Sequence, residues 1–335
     1  MRIAFSMIAG CALLAVLPLV LRGQQPPALP PPGGPEESIR LAVDLVSFPL
    51  TVTDQRGRFI ADLDAGRFRL LENGIPQQIA VFQEEPAPLS MGIVLDTSGS
   101  MEDKLPSAVA ALERFVRTIR PHDDVFLLRF AAETEMLLDF TSDRRRFDEA
   151  VRQVQAAGGT ALYDAVSAAL RKLKEGRHRK RALLVITDGA DNESSTTLSK
   201  VLQEAKAADA LVYCLGVAAD PKLRESRRLA AQALQHGAPS RRLPGRRGTV
   251  VDPLDMPVLE RISKGTGGRS HLVARAGAEL DSMVRAISAE LREQYTVGYY
   301  PANRARDGEF RKIKLESDVP GARLRYRAGY YAPKE

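Results

Sequence analysis

The chain has 335 residues, about two domains by length. With 44% hydrophobic and 27% charged residues it is not a mainly disordered, collagen-like or multi-span membrane protein. The net charge of +6 is concentrated: residues 222–247 hold eight basic residues and one Glu, and the remainder sums to −1. One basic segment does not make a nucleic-acid surface, so no nucleic acid is expected as a partner. A core of good size is affordable, since chains of this length bury roughly three quarters of their unfolded surface. Two Cys (Cys11 and Cys214) and four scattered His exclude a disulfide scaffold and a Cys-based zinc site.

Residues 1–22 begin Met-Arg and run apolar from Ile3 to Leu21, the pattern of a signal peptide or of an uncleaved anchor. Ile8-Ala9-Gly10-Cys11 resembles a lipoprotein box, but most of the apolar run follows the Cys. Residues 23–37 form a linker, with six Pro and two Gly between 26 and 35 that favour an extended spacer. Each of these readings places the folded part outside the cytoplasm, periplasmic or secreted. Membrane contact is expected only through an uncleaved N-terminus.

Residues 38–88 read as short strands. Val43, Leu45 and the set Phe48, Leu50, Val52 show a period of two, and Asn73-Gly74 is a hairpin signal. The pattern changes over 89–291. Met91–Leu95, Ala182–Thr187 and Leu211–Val217 are buried-strand runs, with further strands at Val125–Phe130 and Met136–Phe140. Helical spacing joins Leu105, Val109, Leu112, Val116 and Ile119, then Leu162, Val166, Leu170 and Leu173. It recurs near 197–208 and over 276–293. Alternating strands and helices predict a doubly wound α/β domain, Rossmann-like, with a mainly parallel sheet covered on both faces. Residues 292–335 turn strand-like again at Tyr295–Tyr300, Phe310–Glu316 and Leu324–Tyr331. Neither flank is long enough to bury a sheet alone. The two flanks are therefore expected to make one small β-domain, with the α/β domain inserted between them.

Asp96-Thr97-Ser98-Gly99-Ser100 follows directly on a buried strand, Thr187-Asp188-Gly189 ends another, and Gly158-Gly159-Thr160 precedes a helix. In open α/β sheets ligands bind outside the C-terminal strand ends. Three loops would thus bring Asp96, Ser98, Ser100, Thr160 and Asp188 together. All five are hard oxygen donors suited to Mg²⁺, with Mn²⁺ and Ca²⁺ as alternatives. The two carboxylates just balance a divalent charge. A coordination position left open would accept a carboxylate from a protein partner. Asp-x-Ser-x-Ser alone is short enough to arise by chance, and Asp and Ser are common turn and N-cap residues.

These residues carry a resemblance. Asp96-Thr97-Ser98-Gly99-Ser100-Met101, Thr160 and Asp188 resemble the three motifs of the metal-ion-dependent adhesion site of von Willebrand factor type A domains, over about residues 88–290. The resemblance implies that Ser98, Ser100 and Thr160 ligate a metal through their hydroxyls, while Asp96 and Asp188 act mostly through bound water. Val52-Thr53-Asp54, Glu72-Asn73-Gly74 and Gln294–Tyr300 extend it to a bacterial exported subgroup, the VWFA-related domain of acidobacterial type.

The expected function is an exported, non-enzymatic module that binds a partner carboxylate through a divalent metal. Two alternatives stand beside it. One is a passive envelope scaffold with a structural or vacant metal site. The other is a serine hydrolase using Ser98 or Ser100, for which no Gly-x-Ser-x-Gly elbow is present. No phosphate-binding Gly-x-x-x-x-Gly-Lys occurs either. The basic insertion expected over 219–254 reads as a solvated segment, with one helix near 222–235, or as a rim that attracts an acidic surface. On the second reading, neutralising Arg241, Arg242, Arg246 and Arg247 slows association. Cys214 reads as a buried, inert thiol and His122 as a loop residue.

Overall fold

A computed structural model of the chain describes residues 45–84, 87–218 and 254–334. The leader and linker expected over 1–37 lie outside the described residues, as do the helix near 222–235 and all of the basic insertion except Leu254.

The N-terminal flank forms β1 (Val46–Thr53), β2 (Phe68–Glu72), β3 (Ile75–Gln77) and β4 (Ile79–Gln83). Asn73 and Gly74 take positive φ of 48° and 84° and join β2 to β3 as a tight hairpin, as Asn-Gly predicts. The chain then enters β5 (Leu89–Asp96), all eight of whose residues are buried. It continues through α1 (Leu105–Val116), β6 (Asp124–Phe130), β7 (Thr134–Thr141), α2 (Arg144–Arg152) and α3 (Leu162–Leu173). Next come β8 (Lys180–Thr187), α4 (Leu198–Ala207), β9 (Leu211–Val217), α5 (Met256–Lys264), β10 (Ser270–Val273) and α6 (Ala278–Glu290).

These strands make one sheet in the order β10-β9-β8-β5-β6-β7, parallel except for β7, which runs antiparallel to β6. Alternate residues of β5 face opposite layers. Met91, Ile93 and Leu95 pack with Leu105, Leu112 and Phe115 of α1 and with Leu280, Val284 and Ile287 of α6. Val94 faces the other layer, with Leu162, Val166 and Leu170 of α3 and Ile262 of α5. Gly92 is required on that second side. A Cβ there would lie 2.4 Å from Phe126 Cζ and 2.7 Å from Leu183 Cδ1.

The C-terminal flank supplies β11 (Tyr295–Tyr299), β12 (Phe310–Ser317), β13 (Arg323–Arg325) and β14 (Gly329–Tyr331). It pairs with the N-terminal flank in both of the remaining sheets, ordered β13-β1-β11-β4 and β14-β12-β2-β3. Phe48, Leu50 and Val52 meet Leu70, Val297, Ile313 and Leu315 in one apolar core. The pairing of the two flanks follows their energetic need: each sheet borrows its missing strands from the other end of the chain.

The expectation of one strand over Leu324–Tyr331 is corrected. β13 pairs with β1 and β14 with β12, so this segment crosses from one sheet to the other. Tyr326 marks the crossing, its hydroxyl bonded to the backbone N and O of Leu315 at 2.8 and 3.2 Å. α2, α5 and β10 are additions, and Ile119 is buried beyond the end of α1 rather than within it. No helix among the described residues is long and apolar enough to cross a membrane.

Buried polar contacts brace the end of α6 against the α/β layers and against β13. Asp123 accepts from Leu89 N at the entry to β5 (2.9 Å) and from Arg292 after α6 (3.0 Å). Glu290 accepts from Tyr213 of β9 and is ion-paired with Arg325 of β13, both at 2.6 Å.

Candidate functional site

Strand order sets the position of the site. From β5 the chain builds outward through β6 and β7, then returns to lay β8 on the other side of β5. The C-terminal ends of β5 and β8 therefore flank the point where the winding reverses, the usual ligand position in such sheets. Asp96 ends β5, and Asp188 follows the last residue of β8.

Asp96 is fully buried, and both of its oxygens are occupied. One accepts from Ser98 N at 2.8 Å and the other from the Thr187 hydroxyl at 2.5 Å. Burial raises its carboxyl to about 6, the hydrogen bonds from Thr187 and Ser98 only partly opposing that. Next to it the chain turns through a short 3-10 segment, Gly99–Met101, which starts at Ser98. There the Ser98 and Ser100 hydroxyls lie 3.1 Å apart, and Ser100 Oγ donates to Asp188 Oδ1 at 2.7 Å. Ser98 and Asp188 are buried and Ser100 half-buried, so the site opens on the Ser100 side.

Thr160 arrives on the loop before α3. Gly158, with φ of +79°, accepts through its carbonyl from Gly99 N at 3.1 Å and so holds this loop against the first motif. The Thr160 hydroxyl flanks Gly189, where a Cβ would lie 3.4 Å from Oγ1. Among the described hydrogen bonds none joins Thr160 Oγ1 to the other four residues. The backbone of Thr160 is clamped instead by Asn192: its N donates to Asn192 Oδ1 at 2.9 Å and its carbonyl accepts from Asn192 N at 3.0 Å. In the first turn of α3 Asp164 accepts from the backbone N of Ser195 and Thr196 at 2.8 and 2.9 Å. The polar run Asp191–Thr197 after Thr187-Asp188-Gly189 was the sequence signal for this clamp.

Sequence reasoning missed Lys104. Four residues after Ser100, at the N-cap of α1, its side chain is only 10% exposed. Its ammonium is ion-paired with Asp188 Oδ2 and lies 3.5 Å from the Ser100 carbonyl. The only available signal was a basic residue at the first turn of an apolar helix.

The donor set fits a small hard cation. Ser98 Oγ, Ser100 Oγ and Asp188 Oδ1 form a connected row of oxygens, with Asp96 behind them and Thr160 on the facing loop. No cluster of three or more His, Cys, Asp or Glu that could hold a metal ion occurs among the described residues. Among the described hydrogen bonds no His reaches Ser98 or Ser100, and Lys104 is ion-paired with Asp188.

The fold is that of von Willebrand factor type A domains. Residues 91–190, less than half of the chain, match the family described as von Willebrand factor type A domain. Such domains are protein-interaction modules, often exported and metal-dependent, and typically non-enzymatic. An uncharacterized protein of Borreliella burgdorferi is 26% identical over 186 residues, which are 52% of this chain and 51% of that protein. The chain thus spans about half the length of that curated relative. Among solved structures, a conserved hypothetical protein BatB from Bacteroides thetaiotaomicron is 26% identical, with a TM-score of 0.46, over 61% of this chain and 97% of that one. A von Willebrand factor type A protein from Catenulispora acidiphila is 15% identical, with a TM-score of 0.49, over 85% and 74% of the two chains.

Proposed function

We propose that this protein is an exported, non-catalytic binding module that captures an acidic side chain of a partner protein through a divalent metal, Mg²⁺ first. The observation that carries this reading is the row Ser98–Ser100–Asp188 at the reversal of the sheet, 3.1 and 2.7 Å between successive oxygens. Ser98, Ser100 and Thr160 would hold the ion through hydroxyls, with Asp96 and Asp188 in support. When bound, the metal supplies a positive centre that accepts an incoming carboxylate. Asp96 orients the first motif by fixing Ser98 N, and the Asn192 clamp sets the height of Thr160. The apolar N-terminus fits export, and the basic run 222–247 in the sequence fits an acidic partner surface.

The test is binding of the full chain to an array of Asp- and Glu-containing peptides and their Asn and Gln counterparts, in Mg²⁺ and in EDTA. Acid-dependent binding that needs Mg²⁺ and is lost in Ser98→Ala is expected. Binding indifferent to chelator and to Ser98→Ala would refute the reading. Turnover of generic esters lost in Ser98→Ala would favour the hydrolase instead. One observation favours the passive scaffold: Lys104 already supplies Asp188 with a counter-charge.

A further inference from the structure

We propose that Lys104 is a built-in counter-cation of the site, competing with the divalent metal for Asp188 and thereby weakening metal capture. The inference rests on the metal-dependent reading above and deepens it.

Both oxygens of Asp188 are committed. Oδ1 accepts from Ser100 Oγ and Oδ2 is ion-paired with Lys104 Nζ. The Asp188 side chain is 0% exposed, so its charge needs a partner inside the protein. Asp96 accepts from Ser98 N and from the Thr187 hydroxyl, whereas Asp188 Oδ2 is the oxygen that the lysine pairs with. Lys104 is itself buried, 8% exposed, and its backbone N bonds the Met101 carbonyl at 2.8 Å just before α1. The ammonium is thus placed from the first turn of α1 and does not swing freely in solvent.

The charge of the site changes accordingly. Two carboxylates alone would balance a divalent ion, but with the ammonium in place the resident charge is a single negative one. A metal entering beside Ser100 must either displace Nζ from Asp188 or share that carboxylate with it. Either event costs binding free energy that a neutral side chain would not exact. The lysine also keeps Asp188 satisfied while no metal is bound, so folding does not depend on metal supply.

The experiment uses the full chain and measures free Mn²⁺ by electron paramagnetic resonance, together with thermal unfolding with and without Mn²⁺. Wild type is compared with Lys104→Met, Lys104→Gln and Asp96→Asn. Met keeps the length and apolar stem of Lys, and Gln is a second neutral side chain in case Met disturbs folding. Both neutral variants are expected to bind Mn²⁺ at least about tenfold more tightly than wild type. Both should also unfold at lower temperature without metal and gain more from its addition. Affinity within twofold of wild type, or weaker, with binding still abolished by Asp96→Asn, overturns the competitor role and leaves the metal site standing. Absence of Mn²⁺ binding in wild type and in both neutral variants overturns the metal reading itself, and the role of Lys104 with it.

Discussion

Replacing Tyr299 by Phe removes one hydroxyl from the seam between the two flanks and leaves the ring in place. Tyr299 is fully buried on β11, and its hydroxyl donates to Glu72 of β2 at 2.7 Å. Tyr330 donates to the same Glu72 oxygen at 2.9 Å. Glu72 is 2% exposed, so water does not replace a lost donor cheaply. A hydrogen bond to a charged group contributes about 1.5–3 kcal/mol, and Tyr299→Phe should cost that much. For a chain of this size the loss lowers the unfolding midpoint by about 3–10 °C. Urea unfolding of wild type, Tyr299→Phe, Glu72→Gln and the double variant isolates the pair. A coupling of about 1 kcal/mol or more is expected. Additive single effects, or a Tyr299→Phe cost under about 0.5 kcal/mol, would refute the seam as a structural link between N- and C-terminal strands.

Further outcomes follow from the same geometry. Asp96 holds its proton up to about pH 6 in the folded state against 3.8 unfolded, because it is buried. Its contribution is therefore fullest below the unfolded value and falls as pH rises toward 6, by on the order of 3 kcal/mol. Urea unfolding of wild type against Asp96→Asn in EDTA between pH 4 and 7 should show that fall, and a flat difference would contradict it. Mn²⁺ affinity should drop below about pH 6, where that proton competes with the metal. Gly92→Ala drives a methyl to within 2.4 Å of Phe126 and should cost about 1–3 kcal/mol in urea unfolding, whereas a neutral effect would refute close packing there. Cys214 is fully buried and its thiol is pushed up to about 12 by that burial, so maleimide should label it only on unfolding.

What was legible in the sequence was whatever a continuous pattern encodes. The apolar runs at 91–95, 182–187 and 211–217 became central strands because a parallel sheet buried on both faces needs no alternation. Asp96 and Asp188 were legible because they terminate such runs. α2 was not, since Arg144–Arg152 carries only Phe147 and Val151 as buried anchors among charged residues. The break in 324–331 was hidden because period-two alternation marks a strand without naming its partner sheet. Lys104 was not singled out by any sequence pattern. Its role depends on Asp188, 84 positions along the chain, and no local pattern reports that contact.

The most direct measurement is thermal unfolding of the full chain across a Mg²⁺ and Mn²⁺ titration, with Asp96→Ala as the control. A ligand that binds only the folded state adds about 2.7 kcal/mol at a hundred times its dissociation constant, or about 5–10 °C here. A saturable rise in wild type that is absent in Asp96→Ala is the predicted result. No rise in wild type, with no Mn²⁺ bound in a direct assay, would contradict a metal-dependent binding site.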